Sequence, residues 1–338
     1  MSDLNKSFNV PVVLFFFKRY EKTLLILDRL REVRPSKIYL ISDGPRNDLE
    51  IDEIAVCRSE IERSINWECE IIKNYAHENM GVFNRIGLGA QWVFTQEEIA
   101  IFLEDDNLPE LTFFSFCQEM LERYKEEEKI LWICGTNYLV DSSKDIKTSY
   151  FFTQQMQPCG WASWASKFNK YYDGYLTHWT EKERENLKSR YIDGALQHQD
   201  YQNWDREKRR LNNKLKPNSW DYQMSFTLRY YDLFGIVPKY NQIKNIGVDE
   251  HSIHGGTSLD NNIMLRRFCY LETKSIEFPL SHPQNLVLLN KMEVKLGNII
   301  KFPVKYRIKG FLNQLIKKIL GIEIDTPLRL GVKDKWKI

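Results

Sequence analysis

The chain has 338 residues, 43% of them apolar and 28% charged, an ordinary composition for a folded protein with length enough to bury a core without staples. Its 48 lysines and arginines against 46 acids leave a net charge of +2, which excludes a polyanion binder acting through its whole surface but not a local basic patch. Six scattered cysteines with no CxxC pair argue against a structural zinc site and a disulfide framework, and fit a reducing compartment.

The first hundred residues alternate strand and helix patterns. VPVVLFFF (10–17) is a continuous apolar run of buried-strand length. It runs straight into Lys18-Arg19, which is not a secretory pattern, and no window approaches the length of a membrane span. A helix pattern over 23–30 stops before Pro35, and KIYLIS (37–42) is the second strand, ended by the turn signal Asp43-Gly44-Pro45. A helix over 52–64, a short strand over 67–73, an Asn- and Gly-punctuated stretch over 79–89 and a helix over 90–98 follow. The next strand, 99–103, runs into Glu104-Asp105-Asp106. This alternation predicts a mostly parallel sheet with helices on both faces, whose strand carboxyl ends face a ligand crevice.

A helix is expected over 112–129, then a strand and turn in LWICGTNYL (131–139) and an aromatic-rich stretch containing Gly160-Trp161-Ala162-Ser163-Trp164. Residues 181–216 are highly charged and read as a solvated helix pair. Ser219-Trp220-Asp221-Tyr222-Gln223, a helix-like 222–231, a strand-like 235–238 and a polar loop over 245–256 come next. From 294 to 322 there are seven cations and no acid, with Phe311, Leu312, Leu315, Ile316, Ile319 and Leu320 at helical spacing. A basic amphipathic helix of this kind either lies on an anionic membrane surface or packs on the body with its lysines outward.

The acidic strand end is the most informative feature. Three carboxylates directly after a buried strand repel one another and are hard to desolvate unless a cation sits there, and hard oxygen ligands suit Mg²⁺ or Mn²⁺. If the strand continued, Glu104 and Asp106 would share one side and Asp105 would face the other. The alternative is an acidic N-terminus for the helix that follows.

In order and spacing, Phe17-Lys18-Arg19, Ser42-Asp43-Gly44-Pro45, Asn79-Met80-Gly81, FLEDDNLP, ICGTNYL, CGWASW, SWDYQ and the 245–256 loop resemble the metal-dependent, nucleotide-sugar glycosyltransferases of the GT-A fold. The nearest likeness is to bacterial relatives of N-acetylglucosaminyltransferase I, over roughly residues 10–255. The resemblance implies a Rossmann-like α/β fold, a UDP-sugar donor, a glycan acceptor and a Mn²⁺ or Mg²⁺ cofactor. It makes Asp106 the direct metal ligand, with Glu104 and Asp105 on ribose or on metal-bound water. Asp43 would accept from uracil N3, against the alternative of a plain turn. Backbone at Phe17 would border the base, with Lys18 and Arg19 beside it and Arg19 toward phosphate. Asn79, Gly81 and Arg85 would lie on the loop before the metal strand, Gly81 allowing close backbone approach and Arg85 suiting diphosphate.

An inverting transferase needs a carboxylate to deprotonate the acceptor. Asp221 is the candidate, the alternative being a helix cap near Ser219. Gly160 and Trp161 resemble the family's turn at the sugar and acceptor pocket, and Trp161, Trp164 and Trp220 are either sugar platforms or core. His251 and His254 sit in a late loop where some GT-A enzymes add a metal ligand, His254 being favoured.

The expected division is a nucleotide-sugar-binding half over 1–107, an acceptor-binding and catalytic half over 108–290, and a basic segment over 291–338. The resulting expectation is an inverting transferase of bacterial surface polysaccharide synthesis (O-antigen or capsule). It would be cytoplasmic, peripheral on the inner face of the cell membrane, act on a glycan that is lipid-linked, and bind no nucleic acid. The rivals are a phosphatase or phosphotransferase with a strand-end Asp nucleophile, and a non-catalytic carbohydrate-binding relative.

Overall fold

The computed structural model describes residues 8–248 and 262–323, with Thr326 and Leu328. Strand β1 (Val12–Phe16) leads through α1 (Tyr20–Val33) to β2 (Lys37–Ser42), and α2 (Ile51–Ser64) leads to β3 (Glu70–Tyr75). A wide helical turn (83–87) and α3 (Leu88–Val93) precede β4 (Ile99–Glu104), after which the chain turns into β5 (Asn107–Pro109) and α4 (Leu111–Arg123). Then come β6 (Ile130–Cys134), β7 (Tyr150–Thr153), β8 (Trp161–Trp164), α5 (Ala165–Tyr171), α6 (Glu181–Asn186), α7 (Gly194–Asn212) and α8 (Asp221–Tyr230). The chain continues as β9 (Phe234–Pro238), β10 (Ile243–Asn245), α9 (Ile263–Phe268), α10 (Asn290–Ile300) and α11 (Val304–Leu320).

Eight strands form one sheet in the order β3-β2-β1-β4-β8-β6-β9-β7. Six run the same way, while β8 and β7 pair antiparallel to their neighbours. Alternate side chains of β1 enter different cores. Val12, Leu14 and Phe16 pack with Ile26, Leu27 and Leu30 of α1 and Phe113, Phe116 and Met120 of α4. Val13 and Phe15 pack with Ala90 and Val93 of α3, Met224 and Leu228 of α8, and Met292 and Leu296 of α10. This is a mixed α/β fold with a large, mostly parallel central sheet flanked by helices, of the Rossmann-like, GT-A-like kind expected.

Several local readings need correction. The helix expected to reach 129 ends at Arg123, where Lys167 Nζ donates to the carbonyls of Tyr124, Glu127 and Ile130 and so satisfies a turn rather than another helical round. The charged excursion is more than a solvated pair. Its helix α7 is capped by Asp193, whose carboxylate accepts from Ala195 N and Leu196 N, and it buries Tyr201 and Trp204 in a third cluster with Trp179 and Phe226. Among the described residues no helix is long and apolar enough to cross a membrane.

Candidate active site

The parallel register sets the site. Phe15 lies opposite Glu104 and Phe16 opposite Ser42, so 17–19, Asp43 and the three acids emerge at one edge of the sheet. Antiparallel β8 begins at the same edge, with Trp161 opposite Phe102 of β4 and Cys134 of β6, which brings Gly160 there.

The acids do not continue the strand. β4 ends at Glu104 and the chain turns over 105–106. Buried Asn107 holds this turn: its Oδ1 accepts from Glu104 N at 3.3 Å and Gly160 N at 2.8 Å, and its Nδ2 donates to Asp106 Oδ1 at 2.6 Å. The expected alternation therefore fails, and Asp105 and Asp106 meet the same group, the Arg19 guanidinium. Arg19 donates to Asp105 Oδ1 and, at 3.2 Å, to Asp106 Oδ2, while Phe17 N donates to Asp105 Oδ2 at 3.4 Å. The acids are not a helix N-terminus either, because α4 starts only at Leu111 and has no acid in its first turn.

A late loop closes on Asp106. The ladder of β5 with β10 pairs Asn107 with Asn245. Ile246 N then donates to Asp106 O at 2.8 Å, and Asn245 Nδ2 reaches Asp106 Oδ1 at 3.5 Å. Arg19 and Lys22 bind this loop from α1 and its N-terminus, donating to Gly247 O at 3.3 Å and Ile246 O at 2.6 Å. A Cβ on Gly247 would overlap Asp106 Oδ2 and lie 3.0 Å from Asn245 Oδ1, so the loop requires glycine here. His251 and His254, from the continuation of this loop, lie outside the described residues.

Burial, followed by the charges of Asp106, Asp105 and Asp221, pushes the Glu104 carboxyl well above the usual carboxylate range, with Arg19 opposing. Burial likewise raises Asp105 against the pull of Arg19. Asp221 is thus close enough to be felt at Glu104. It occupies the first turn of α8 and accepts from Ser219 Oγ, which itself accepts from Tyr222 N at 3.0 Å. The N-cap position is Trp220, and the Ser219 hydroxyl just before it takes the Tyr222 amide, which leaves Asp221 a held carboxylate rather than a cap.

Other candidates sit differently from expectation. Asp43 accepts from Gly44 N, Met80 N, Asn79 Nδ2 and Gly81 N at 2.7–3.0 Å, so its four lone-pair positions are filled and it clamps the 79–81 loop to β2. Reading uracil would require giving up one of these bonds. Gly81 has φ +82°, which explains the glycine. Arg85 is buried and donates to Asn74 O at 2.6 Å, tying the loop to β3 rather than presenting its guanidinium to a diphosphate. Lys18 pairs with Glu50 at 3.3 Å and Glu53 at 3.2 Å.

Trp161 is 1% exposed and stacks between Phe102 (3.9 Å) and Trp132 (4.1 Å), while Trp164 and Trp220 are also buried. These rings are core, not open sugar platforms. Gly160 (φ +60°) keeps its place beside the site, since a Cβ there would lie 2.5 Å from Ile243. Sequence reasoning missed the roles of Asn107 and Lys22, and took Gly247 only as part of the late loop. The only signal for Asn107 was its adjacency to the acids. For Lys22 there was none, and the closeness of Gly247 to Asp106 depends on the long-range β5–β10 pairing.

Among the described residues no three His, Cys, Asp or Glu side chains stand together as a metal cage. The donor set still suits Mg²⁺ or Mn²⁺, which typically take one or two carboxylates and fill the remaining positions with phosphate oxygens and water.

No protein-family model and no curated protein matches the chain. Among solved structures, a 4-diphosphocytidyl-2C-methyl-D-erythritol synthase from Anaerococcus prevotii aligns with a TM-score of 0.32 at 10% identity, over 67% of this chain and 83% of that one. A UDP-glucose pyrophosphorylase complexed with UDP-glucose aligns with a TM-score of 0.33 at 9% identity, over 70% and 93%. Likenesses this distant carry no argument about function.

Proposed function

We propose that the protein is an inverting, metal-dependent glycosyltransferase that moves a sugar from a UDP-sugar to a hydroxyl of a glycan acceptor, in the synthesis of a bacterial surface polysaccharide such as an O-antigen or capsule. The observation that carries this reading is the pair Asp105 and Asp106 on one guanidinium, next to Glu104, whose carboxyl also feels the charge of Asp221, at the edge where open α/β sheets bind ligands. Such an excess of carboxylates favours a bound cation. Mn²⁺ or Mg²⁺ held at Asp106, with Glu104 and Asp105 on ribose or water, would offset the charge that develops on the departing diphosphate. Phe17 borders the base, with the Arg46 guanidinium 5.3 Å from its ring centre.

Asp221 takes the proton of the acceptor hydroxyl as that oxygen attacks the anomeric carbon. The bond from this carbon to the diphosphate oxygen breaks, and UDP departs with the electron pair. Ser219 Oγ orients the carboxylate by donating to one of its oxygens. A positioned base contributes about 10²–10⁴-fold. Asp43, Asn79 and Arg85 shape the nucleotide crevice from behind by fixing the 79–85 backbone, and Gly160 does the same on the acceptor side.

The test is a panel of nucleotide-sugar donors scored by UDP release and by formation of an acid-stable glycoside. Turnover should vanish with chelator, return with Mn²⁺, and fall severely in Asp106→Asn. Asp221→Asn should retain UDP binding and lose about 10²–10⁴-fold in turnover. Metal-independent turnover, equal in wild type and Asp106→Asn, would contradict the proposal, and release of free phosphate would favour a phosphatase.

A further inference from the structure

The basic run from 294 to 322 divides into two parts. Its first part is integrated into the body: α10 buries Met292 and Leu296, Lys295 pairs with Asp145 at 2.6 Å, and Lys301 pairs with Asp193. The junction after α10 is also fixed, by Arg267 of α9 donating to Ile299 O (3.0 Å) and Lys301 O (2.8 Å) and by Gln199 Oε1 accepting from Phe302 N at 2.6 Å.

Helix α11 is the reverse of an ordinary surface helix. It buries no residue, although it is strongly amphipathic. Val304, Ile308, Phe311, Leu312, Leu315 and Ile319 fall in one stripe of about 100° at helical spacing, and they are 44–73% exposed. The partly covered residues of the helix are Arg307, Asn313, Lys317 and Leu320, on the other side. The apolar stripe thus faces outward, and what partial cover the helix has falls away from it. Lys305 and Lys309 flank the stripe on one side, and Arg307 and Lys318 on the other. No acid occurs between 302 and 322.

We infer that α11 is an interfacial helix that docks the protein on an anionic lipid surface, its apolar stripe among the acyl-chain boundary and its flanking cations at the headgroups. Charge decides against a second copy of the chain as occupant. Two such helices stripe to stripe would set the flanking Lys305, Arg307, Lys309 and Lys318 of one against the same residues of the other, with no acid between 302 and 322, whereas an anionic bilayer complements them. The helix, at 17 residues, would be about 25 Å long, lying in the interface rather than crossing it. Its root is tied through Arg267 to α9, and Tyr270 just after α9 donates to Asn245 O at 2.8 Å and Ile246 O at 3.2 Å, so docking would fix the orientation of the site toward the bilayer. A lipid-linked acceptor is the substrate class this arrangement serves.

The experiment is co-sedimentation of the full chain with vesicles of phosphatidylcholine alone and of phosphatidylcholine with phosphatidylglycerol. Wild type should bind the anionic vesicles, weakly or not at all the neutral ones, and less as salt rises. Each basic residue near the surface is worth about fivefold in partition, so the Lys305→Gln, Lys309→Gln, Lys318→Gln variant should lose roughly a hundredfold. Phe311→Ser with Ile319→Ser should abolish binding while leaving the melting temperature and UDP binding unchanged, since neither side chain is buried. Absence of wild-type binding, equal binding by the serine variant, or loss of an apolar-dependent dimer in place of vesicle binding would each overturn the inference. UDP binding measured on the same samples separates its failure from that of the proposed activity.

Discussion

Asn107 offers the sharpest perturbation of the acidic turn, because Asn107→Asp changes one NH₂ to an oxygen and nothing in volume. Wild-type Nδ2 donates to Asp106 Oδ1 at 2.6 Å, while Oδ1 accepts from two backbone amides. The aspartate keeps the acceptor but replaces the donor with a second carboxylate oxygen at the same distance from Asp106. Two unit charges about 3 Å apart at an effective dielectric near 20 repel by roughly 5 kcal/mol as an upper bound. Removing a buried bond without its partner adds about 1–3 kcal/mol. The pair will evade part of this by sharing a proton, so a net loss of about 3 kcal/mol at pH 8 is expected. The sign in pH follows. The new carboxyl titrates higher folded than unfolded, so the stability tied to its proton is complete below the unfolded value near 4 and disappears as pH rises through the folded value. Urea unfolding at pH 5 and pH 8 measures this: the gap to wild type should be small at pH 5 and large at pH 8. A variant within 0.5 kcal/mol of wild type at pH 8 (a threshold of about the usual measuring error), or a gap unchanged between the two pH values, would refute the role given to Asn107.

Three further outcomes are expected. Asp43→Asn puts an amide donor against backbone N–H groups that now find a carboxylate, and should cost about 1.5–3 kcal/mol in urea unfolding and weaken UDP binding by calorimetry through disorder of the 79–81 loop. Gly247→Ala should displace Asp106, raising the Mn²⁺ concentration needed for UDP binding at least tenfold by roughly 1.4 kcal/mol, with little change in melting temperature. Asp200 bonds Tyr191 OH at 2.8 Å, but burial outweighs the charge of Arg229 and pushes its carboxyl up to about 6. A raised carboxyl contributes stability that is present below about 4 and lost as pH rises through about 6. Asp200→Asn should therefore be more stable than wild type by about 1–3 kcal/mol at pH 8 and level with it near pH 4, by thermal or urea unfolding.

Much of the sheet was legible because β1, β2 and β4 are continuous apolar runs closed by turn residues, the pattern of strands buried on both faces. β7 and β8 were visible only as aromatic-rich stretches. Their place as antiparallel strands depends on pairing with β9, β4 and β6, which no local pattern encodes. The acids of 104–106 stood out by the frustration they create, and Asp221 was singled out only by the resemblance and by the base that the proposed chemistry needs. The bonding of individual side chains could not. Asp43 and Arg85 carry the right chemistry for a nucleotide, yet the 79–81 loop occupies Asp43 and Asn74 of β3 occupies Arg85. The aromatic rings at 161, 164 and 220 were ambiguous between sugar platform and core because sequence gives hydrophobicity without facing. The division of the basic run at residue 302 was likewise hidden, since α10 and α11 are both basic and amphipathic and differ in which neighbours they meet.

The central claim is that the acidic turn after β4 holds the divalent ion that grips UDP. Diffraction from crystals grown with UDP and Mn²⁺, with anomalous data at the manganese edge, tests it directly. One manganese peak is expected, bonded to an Asp106 oxygen and to diphosphate oxygens, with Arg19 withdrawn from at least one of its two carboxylates. Nucleotide bound away from this edge, or bound here with no manganese between it and Asp106, would show that the acidic turn is not the metal site.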